Sequence, residues 1–284
     1  MAERNIAAFI AAYVYLQFLV CPAHAAIALL TGRANPYRIT KNFCDMLGAR
    51  FVHSKNSQSL KKDAMYLCNH RSWGDFFIDQ ALCGGAAYLS RYMVIPACPG
   101  SSLYAWISHS VWFFNRKKGL DRSELGRYLA QQWELRPGKG LIVYPEGTRN
   151  QKKEPLKLKT GVLQMAYDYK KQVQAVITTN KELMANEKTL TITRNVTCVT
   201  SISKPVDPTA FPSFKEFCDE VTRVFEDTWK DAYGAEVDES RVYLPPFGLP
   251  TPGFEPVPIP SRAWIVRFII VALFVLYYLR KTAA

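Results

Sequence analysis

The hydrophobic pattern divides the chain into two apolar ends and a middle of short alternating apolar and polar runs. Ile6 to Leu30 is mostly apolar, interrupted by Gln17, Cys21-Pro22 and His24. It is long enough to span a bilayer; the alternative is two short helices broken at Pro22 that dip into one leaflet. At the other end, Ala263 to Leu279 is apolar except for Arg267 and runs into Arg280-Lys281. That run predicts a transmembrane anchor, with Arg267 one turn in and able to reach the headgroups.

Between these ends, strand and helix patterns alternate. Ala64–Cys68 (AMYLC) reads as a buried strand, and Phe76–Leu82 as a helix closed by Gly84-Gly85. Ala86–Ile95 reads as a strand, Pro96–Gly100 as a break and Leu103–His109 as a short helix. Asp121–Leu135 predicts a helix stopped by Arg136-Pro137-Gly138. Gly140–Tyr144 is a strand, Thr160–Lys171 a helix, Val173–Thr178 and Leu190–Ile202 strands, and Ser213–Trp229 an amphipathic helix. The order predicts an α/β domain with a mixed sheet flanked by helices. The expected organisation is a membrane-associated segment over 1–33, a catalytic-size domain over 34–233, a proline-rich extended linker over 234–261 and a C-terminal anchor and tail over 262–284.

Composition narrows the partners. Across 284 residues, 36 Lys and Arg stand against 24 Asp and Glu, a formal net charge of +12. Such a balance predicts an anionic partner. A nucleic acid is not indicated, because no helix-turn-helix, zinc-finger or RNP-like pattern accompanies the charge. A hydrophobic content of 49% excludes a disordered chain. The 7 cysteines are odd in number and form no C-x-x-C, so neither a disulfide framework nor a zinc site is read from them. Reduced thiols suit a domain facing the cytosol. Arg33, Arg38 and Lys41 follow the first apolar run, which places that domain on the cytosolic side by the positive-inside rule.

Candidate chemistry sits at the corner Asn69-His70-Arg71-Ser72-Trp73-Gly74-Asp75. A histidine there can act as a general base near neutral pH, with the carboxylate fixing its tautomer. The competing reading is structural: Ser72 as a helix N-cap with Asp75 at N3. A second stretch, Tyr144-Pro145-Glu146-Gly147-Thr148-Arg149-Asn150, follows the Gly140–Tyr144 strand.

Together, His70 with Asp75 after four spacers and the YPEGTRN stretch resemble the glycerolipid acyltransferase family, of the lysophosphatidic acid acyltransferase type. That family carries N-H-x4-D and F-P-E-G-T-R-S blocks; here Tyr replaces Phe and Asn replaces Ser. Val111–Arg116 fits a third block ending in arginine, and Val173–Thr178 stands where a fourth, proline-containing block is expected, without the proline. The resemblance covers roughly residues 60 to 200. It implies acyl transfer from acyl-CoA to a glycerolipid hydroxyl, lysophosphatidic acid giving phosphatidic acid, with His70 as base and Asp75 orienting it. It implies substrate contacts at Arg116, Glu146, Gly147, Thr148 and Arg149. Acyl-CoA is then a co-substrate, with no other cofactor and no metal. Gly100, Gly147 or a nearby lysine are the candidates for stabilising the oxyanion. Lysophospholipid or glycerol 3-phosphate acceptors, and a non-catalytic lipid-binding scaffold, are the alternatives. The implied setting is a membrane, with the endoplasmic reticulum expected and the domain facing the cytosol.

Overall fold

The computed structural model describes residues 6–114, 122–136, 138–235, 242–243 and 256–282. The chain opens on one continuous helical run: α1 (Ile6–Val14), a π-helical turn (Tyr15–Val20) and α2 (Cys21–Thr31). After β1 (Arg33–Ala34) come α3 (Pro36–Met46), β2 (Arg50–His53), β3 (Met65–Cys68) and α4 (Asp75–Leu82). β4 (Ala87–Arg91), α5 (Val94–Ala97), α6 (Pro99–Ser108), β5 (Val111–Phe114), α7 (Arg122–Glu134) and β6 (Leu141–Val143) follow. The second half holds α8 (Gly161–Asp168), β7 (Val173–Thr178), α9 (Lys181–Met184), the small hairpin β8 (Ala185–Asn186) and β9 (Thr191–Ile192), β10 (Thr197–Ile202) and α10 (Phe214–Gly234). β11 (Val242–Tyr243), β12 (Val257–Pro258) and α11 (Ser261–Thr282) complete it.

The main sheet runs β11-β2-β10-β7-β3-β6-β4-β5. β7, β3, β6, β4 and β5 are parallel; β10 is antiparallel to β7, and β11 is antiparallel to β2. Along β3, Met65 and Leu67 enter one core and Tyr66 and Cys68 the other, all of them fully buried. This is the period-2 signature of a strand covered on both faces, so the unbroken apolar run read from the sequence is what a central parallel strand requires. One face is covered by α3 and α4 through Phe43, Phe77, Ile78 and Leu82. The other is covered by α7, α8 and α10 through Trp133, Leu163, Phe217 and Phe225. α10 starts at a serine N-cap: the Ser213 hydroxyl accepts the Glu216 N–H and lies 3.1 Å from the Glu216 carboxylate, to which it can donate. The mixed α/β sheet expected from the sequence is therefore present.

Two expectations are corrected. The strand expected over Ala86–Ile95 ends at Arg91, and Val94–Ala97 turns helical. The strand expected over Leu190–Ile202 is broken, because Leu190 and Asn195 both take positive φ; only Thr191–Ile192 and Thr197–Ile202 are extended. Within the stretch expected as an extended linker, 234–261, Val242–Tyr243 extend the main sheet on β2, and Val257–Pro258 pair with Arg33–Ala34.

Two helices are long and apolar enough to cross a membrane, Ile6–Thr31 and Ser261–Arg280. They meet the domain differently. The first lies along it: Phe9 and Tyr13 pack on Trp73, and Leu16, Gln17, Cys21, Ala25 and Ala28 are buried. Pro22 does not split the run: the helix continues through it, with a π-helical turn over Tyr15–Val20 just before it. The irregularity is the π turn, which carries Gln17 into contact with α6. Gln17 Nε2 donates to Ser101 Oγ at 2.8 Å, and Ser101 N donates to Gln17 Oε1 at 2.9 Å. α11 touches the domain at its start, where Arg267 donates to the Leu30 carbonyl at 3.1 Å and stacks on Trp264; beyond it the apolar side chains from Phe268 to Leu276 are exposed.

The junction of α6 with the π turn requires a glycine. A Cβ on Gly100 would lie 1.8 Å from the Gln17 carbonyl oxygen. Gly100→Ala is therefore expected to destabilise the protein by about 1–3 kcal/mol, in the range of overpacking. Thermal unfolding in detergent checks this; an unchanged midpoint would show that the two helices do not approach so closely.

Candidate active site

Three parallel strands end on the same edge of the sheet. β3 delivers Asn69-His70, β6 delivers the Tyr144–Asn150 loop and β7 delivers Thr179 to Lys181. The carboxyl ends of parallel strands are where open α/β sheets place their sites.

At the first end, His70 Nδ1 lies 2.8 Å from Asp75 Oδ2. The same oxygen accepts the N–H groups of Arg71 and, at 2.9 Å, Ser72; Ser72 Oγ donates to Asp75 Oδ1 at 3.3 Å. Gly74, not Ser72, is the cap position of α4, and Asp75 is its first helical residue. The two sequence readings thus merge: the Asp75 carboxylate gathers the free N–H groups ahead of the helix and holds the imidazole. Ser72 serves as a donor to it rather than as the N-cap. Asp75 is fully buried. Burial alone would raise its carboxyl, but Lys181 and His70 outweigh burial and hold it below the usual carboxylate value. With Nδ1 committed to Asp75, Nε2 is the ring nitrogen left for chemistry. The imidazole is also stacked on Tyr144, centroids 4.3 Å apart, with Phe76 edge-on at 5.8 Å.

Lys181 is fully buried beneath this pair. Its ammonium donates to both oxygens of Asp79 at 2.8 Å and to the Asn69 carbonyl at 2.6 Å. Asp79 sits one turn after Asp75, so two carboxylates share one buried helix face, and Lys181 supplies the cation they need. Burial pushes the Asp79 carboxyl up and Lys181 draws it back. The Asn69 side chain ties the corner to β7 through both polar atoms, to Thr178 O at 2.9 Å and from Thr178 N at 3.0 Å.

The second end is pinned to the first by Arg71, which is 4% exposed. Arg71 Nη1 donates to the carbonyls of Asn150 at 2.7 Å and Lys152 at 2.6 Å, while Nε and Nη2 clasp Glu182. Asn150 N donates to the His70 carbonyl at 2.7 Å. Glu146 turns into its own loop: Oε1 accepts from Asn150 Nδ2 at 2.6 Å and from Leu156 N at 2.8 Å. Burial pushes the Glu146 carboxyl above its usual range. Gly147 takes φ +70° to close the turn, and with Thr148 it is exposed. Arg149 is partly exposed and pairs with Glu187, whose other oxygen accepts Trp73 N–H at 2.9 Å. Arg116 lies outside the described residues.

The structure thus brings His70, Asp75, Glu146, Gly147, Thr148 and Arg149 to one edge. Sequence reading missed Arg71, Asp79, Lys181, Glu182 and Glu187. Arg71 and Asp79 lie inside or one turn beyond the recognised corner, and a charged residue on an otherwise apolar helix face was the available signal for Asp79. The other three follow β7 in a stretch with no pattern of its own. Next to the site, a narrow, open apolar pocket lies between Trp73, Phe76, Tyr88, Val94, Ala105 and Phe113. Among the described residues no cluster of His, Cys, Asp and Glu is arranged to hold a metal ion.

The buried ion pair yields a direct expectation. Lys181→Met leaves Asp79 buried without a counter-charge and should cost about 3–5 kcal/mol of stability. Replacing Asp79 by Leu in the same chain should recover most of it. Denaturant unfolding of both variants checks this, and a double variant as unstable as the single one would contradict it.

The sequence model of the acyltransferase family matches residues 49–179, a span that takes in both site blocks. No curated protein sequence matches significantly. Among solved structures, the crystal structure of the 1-acyl-sn-glycerophosphate (LPA) acyltransferase PlsC from Thermotoga maritima is similar in fold. Its TM-score is 0.62 at 19% identity, covering 83% of this chain and 98% of that one. Residues 49–179 are thus similar in sequence to the acyltransferase family, and the chain shares the fold seen in PlsC.

Proposed function

We propose that the protein is a membrane-bound O-acyltransferase that moves an acyl group from acyl-CoA to the free hydroxyl of lysophosphatidic acid, yielding phosphatidic acid and CoA. The observation that carries this reading is the His70–Asp75 pair, 2.8 Å apart at the strand ends, set between an apolar pocket and the arginine-bearing Tyr144–Asn150 loop.

In this reading His70 Nε2 takes the proton of the acceptor hydroxyl as its oxygen attacks the thioester carbonyl. The imidazolium that forms is stabilised by Asp75, which stays ionised because Lys181 and the corner N–H groups hold it so. The tetrahedral intermediate collapses with cleavage of the C–S bond, and the imidazolium returns its proton to the leaving thiolate. No enzyme-bound acyl group is needed, because the thioester is already activated. Stacking on Tyr144 restrains the plane of the imidazole. The pocket beside Phe76 is apolar and suits an acyl chain. Arg149, partly exposed at the lip, is the cation available to the acceptor phosphate. The N-terminal helix and α11 would hold this edge at the membrane, and the basic residues Arg33, Arg38 and Lys41 favour the cytosolic face, with the endoplasmic reticulum as the proposed site.

The test is release of free CoA by purified protein from oleoyl-CoA, with lysophosphatidic acid, glycerol 3-phosphate and lysophosphatidylcholine offered separately. Release with lysophosphatidic acid above the others is expected. Release with another acceptor in its place would move the assignment to that acceptor, and no acceptor-dependent release would overturn acyl transfer from CoA.

A further inference from the structure

The Arg149–Glu187 pair is an odd feature for an anion-binding site, since the cation at its lip is already occupied by a carboxylate of the same chain. Glu187 sits in the turn between β8 and β9 and uses both oxygens, one on the Arg149 guanidinium and one on the Trp73 N–H at 2.9 Å. A carboxylate held between an arginine and a backbone N–H just ahead of a helix is bound as an anionic ligand would be. Both side chains remain partly exposed, 34% for Arg149 and 25% for Glu187, so the pair is open to exchange with a ligand from solution. The hairpin that carries Glu187 is short, two residues on each strand, and it packs on α9 and α1 rather than forming part of the main sheet.

We propose that Glu187 is a specificity-determining residue, an internal stand-in for the acceptor phosphate that only a doubly charged phosphate monoester displaces readily. The inference rests on the reading that Arg149 receives the acceptor phosphate. A phosphate monoester carries roughly −1.5 to −2 charges near neutral pH, against −1 for a carboxylate. Exchanging Glu187 for a monoester therefore increases the attraction to Arg149. Exchanging it for a phosphodiester, as in lysophosphatidylcholine, gains no charge at all and still sets Glu187 free beside the bound phosphate. The Trp73 N–H, released at the same moment, becomes a second donor to the monoester. Discrimination arises from a competing group rather than from an added contact, which is a common route to selectivity.

The test compares Glu187→Gln with the unchanged protein, measuring kcat/KM for lysophosphatidic acid and for lysophosphatidylcholine at saturating oleoyl-CoA, with Arg149→Ala as a second variant. A glutamine at this partly exposed position keeps the size and can keep the hydrogen bond to Trp73, so the fold is expected to be retained. The preference for lysophosphatidic acid over lysophosphatidylcholine is expected to fall about two- to fivefold in Glu187→Gln, the scale of one partly exposed charge pair. The expected change lies in KM rather than kcat. An unchanged preference overturns the proposal, as does a rise in the KM for lysophosphatidic acid, which would make Glu187 a support for Arg149. A selective loss of lysophosphatidylcholine turnover also overturns it, because Glu187 would then be pairing with the ammonium group. Arg149→Ala separates this from failure of the underlying reading: if it leaves the KM of every acceptor unchanged, Arg149 does not hold the phosphate and the assignment beneath the inference is lost. A raised KM in Arg149→Ala with no effect in Glu187→Gln sinks the inference alone.

Discussion

The structure depends on keeping one carboxylate ionised where no water reaches it. Asp75 is fully buried at the head of α4, and an isolated buried carboxylate would take up a proton. It stays charged because it accepts two backbone N–H groups, a hydroxyl and the His70 imidazole, with the Lys181 ammonium close by. Each of those partners is delivered by a different structural device. The N–H groups come from the turn out of β3, the imidazole from the strand end, and the lysine from the turn out of β7. The sheet fixes all three, since β3 lies between β6 and β7.

The stretch from Lys181 to Glu187 has a wider role than its length suggests. Lys181 neutralises Asp79, Glu182 clasps Arg71, and Glu187 holds Arg149 and the Trp73 N–H. These seven residues therefore provide the counter-charges to both blocks that were recognised in the sequence. The same stretch leads into the hairpin that meets α1, while Trp73 meets Phe9 and Tyr13 of that helix. The apolar N-terminal run thus packs against elements that border the site and is not only a means of attachment.

Much of this was readable in the sequence. The buried strand AMYLC, the corner after it and the α/β alternation follow from periodicity, and the pairing of His70 with Asp75 follows from chemistry at a strand end. What was not readable depends on long-range neighbours. Nothing local marks Lys181 as buried, because a lysine after a strand is normally solvated; only Asp79, distant in sequence, makes its burial tolerable. The proline-rich stretch reads as an extended linker, and the sequence gives no sign of which partners its two short strand pieces find at sheet edges. Leu190–Ile202 looked continuous because β propensity does not register a positive φ at Asn195.

The central claim is that His70, oriented by Asp75, is the base for acyl transfer. Its most direct test is to compare His70→Ala with the unchanged protein for phosphatidic acid formation and, on the same samples, for binding of acyl-CoA and lysophosphatidic acid. The account predicts that both ligands still bind with similar affinity and that product formation falls by at least about a hundredfold, the lower end for loss of a general base. Product formation within a few fold of the unchanged protein, with binding intact, would contradict it.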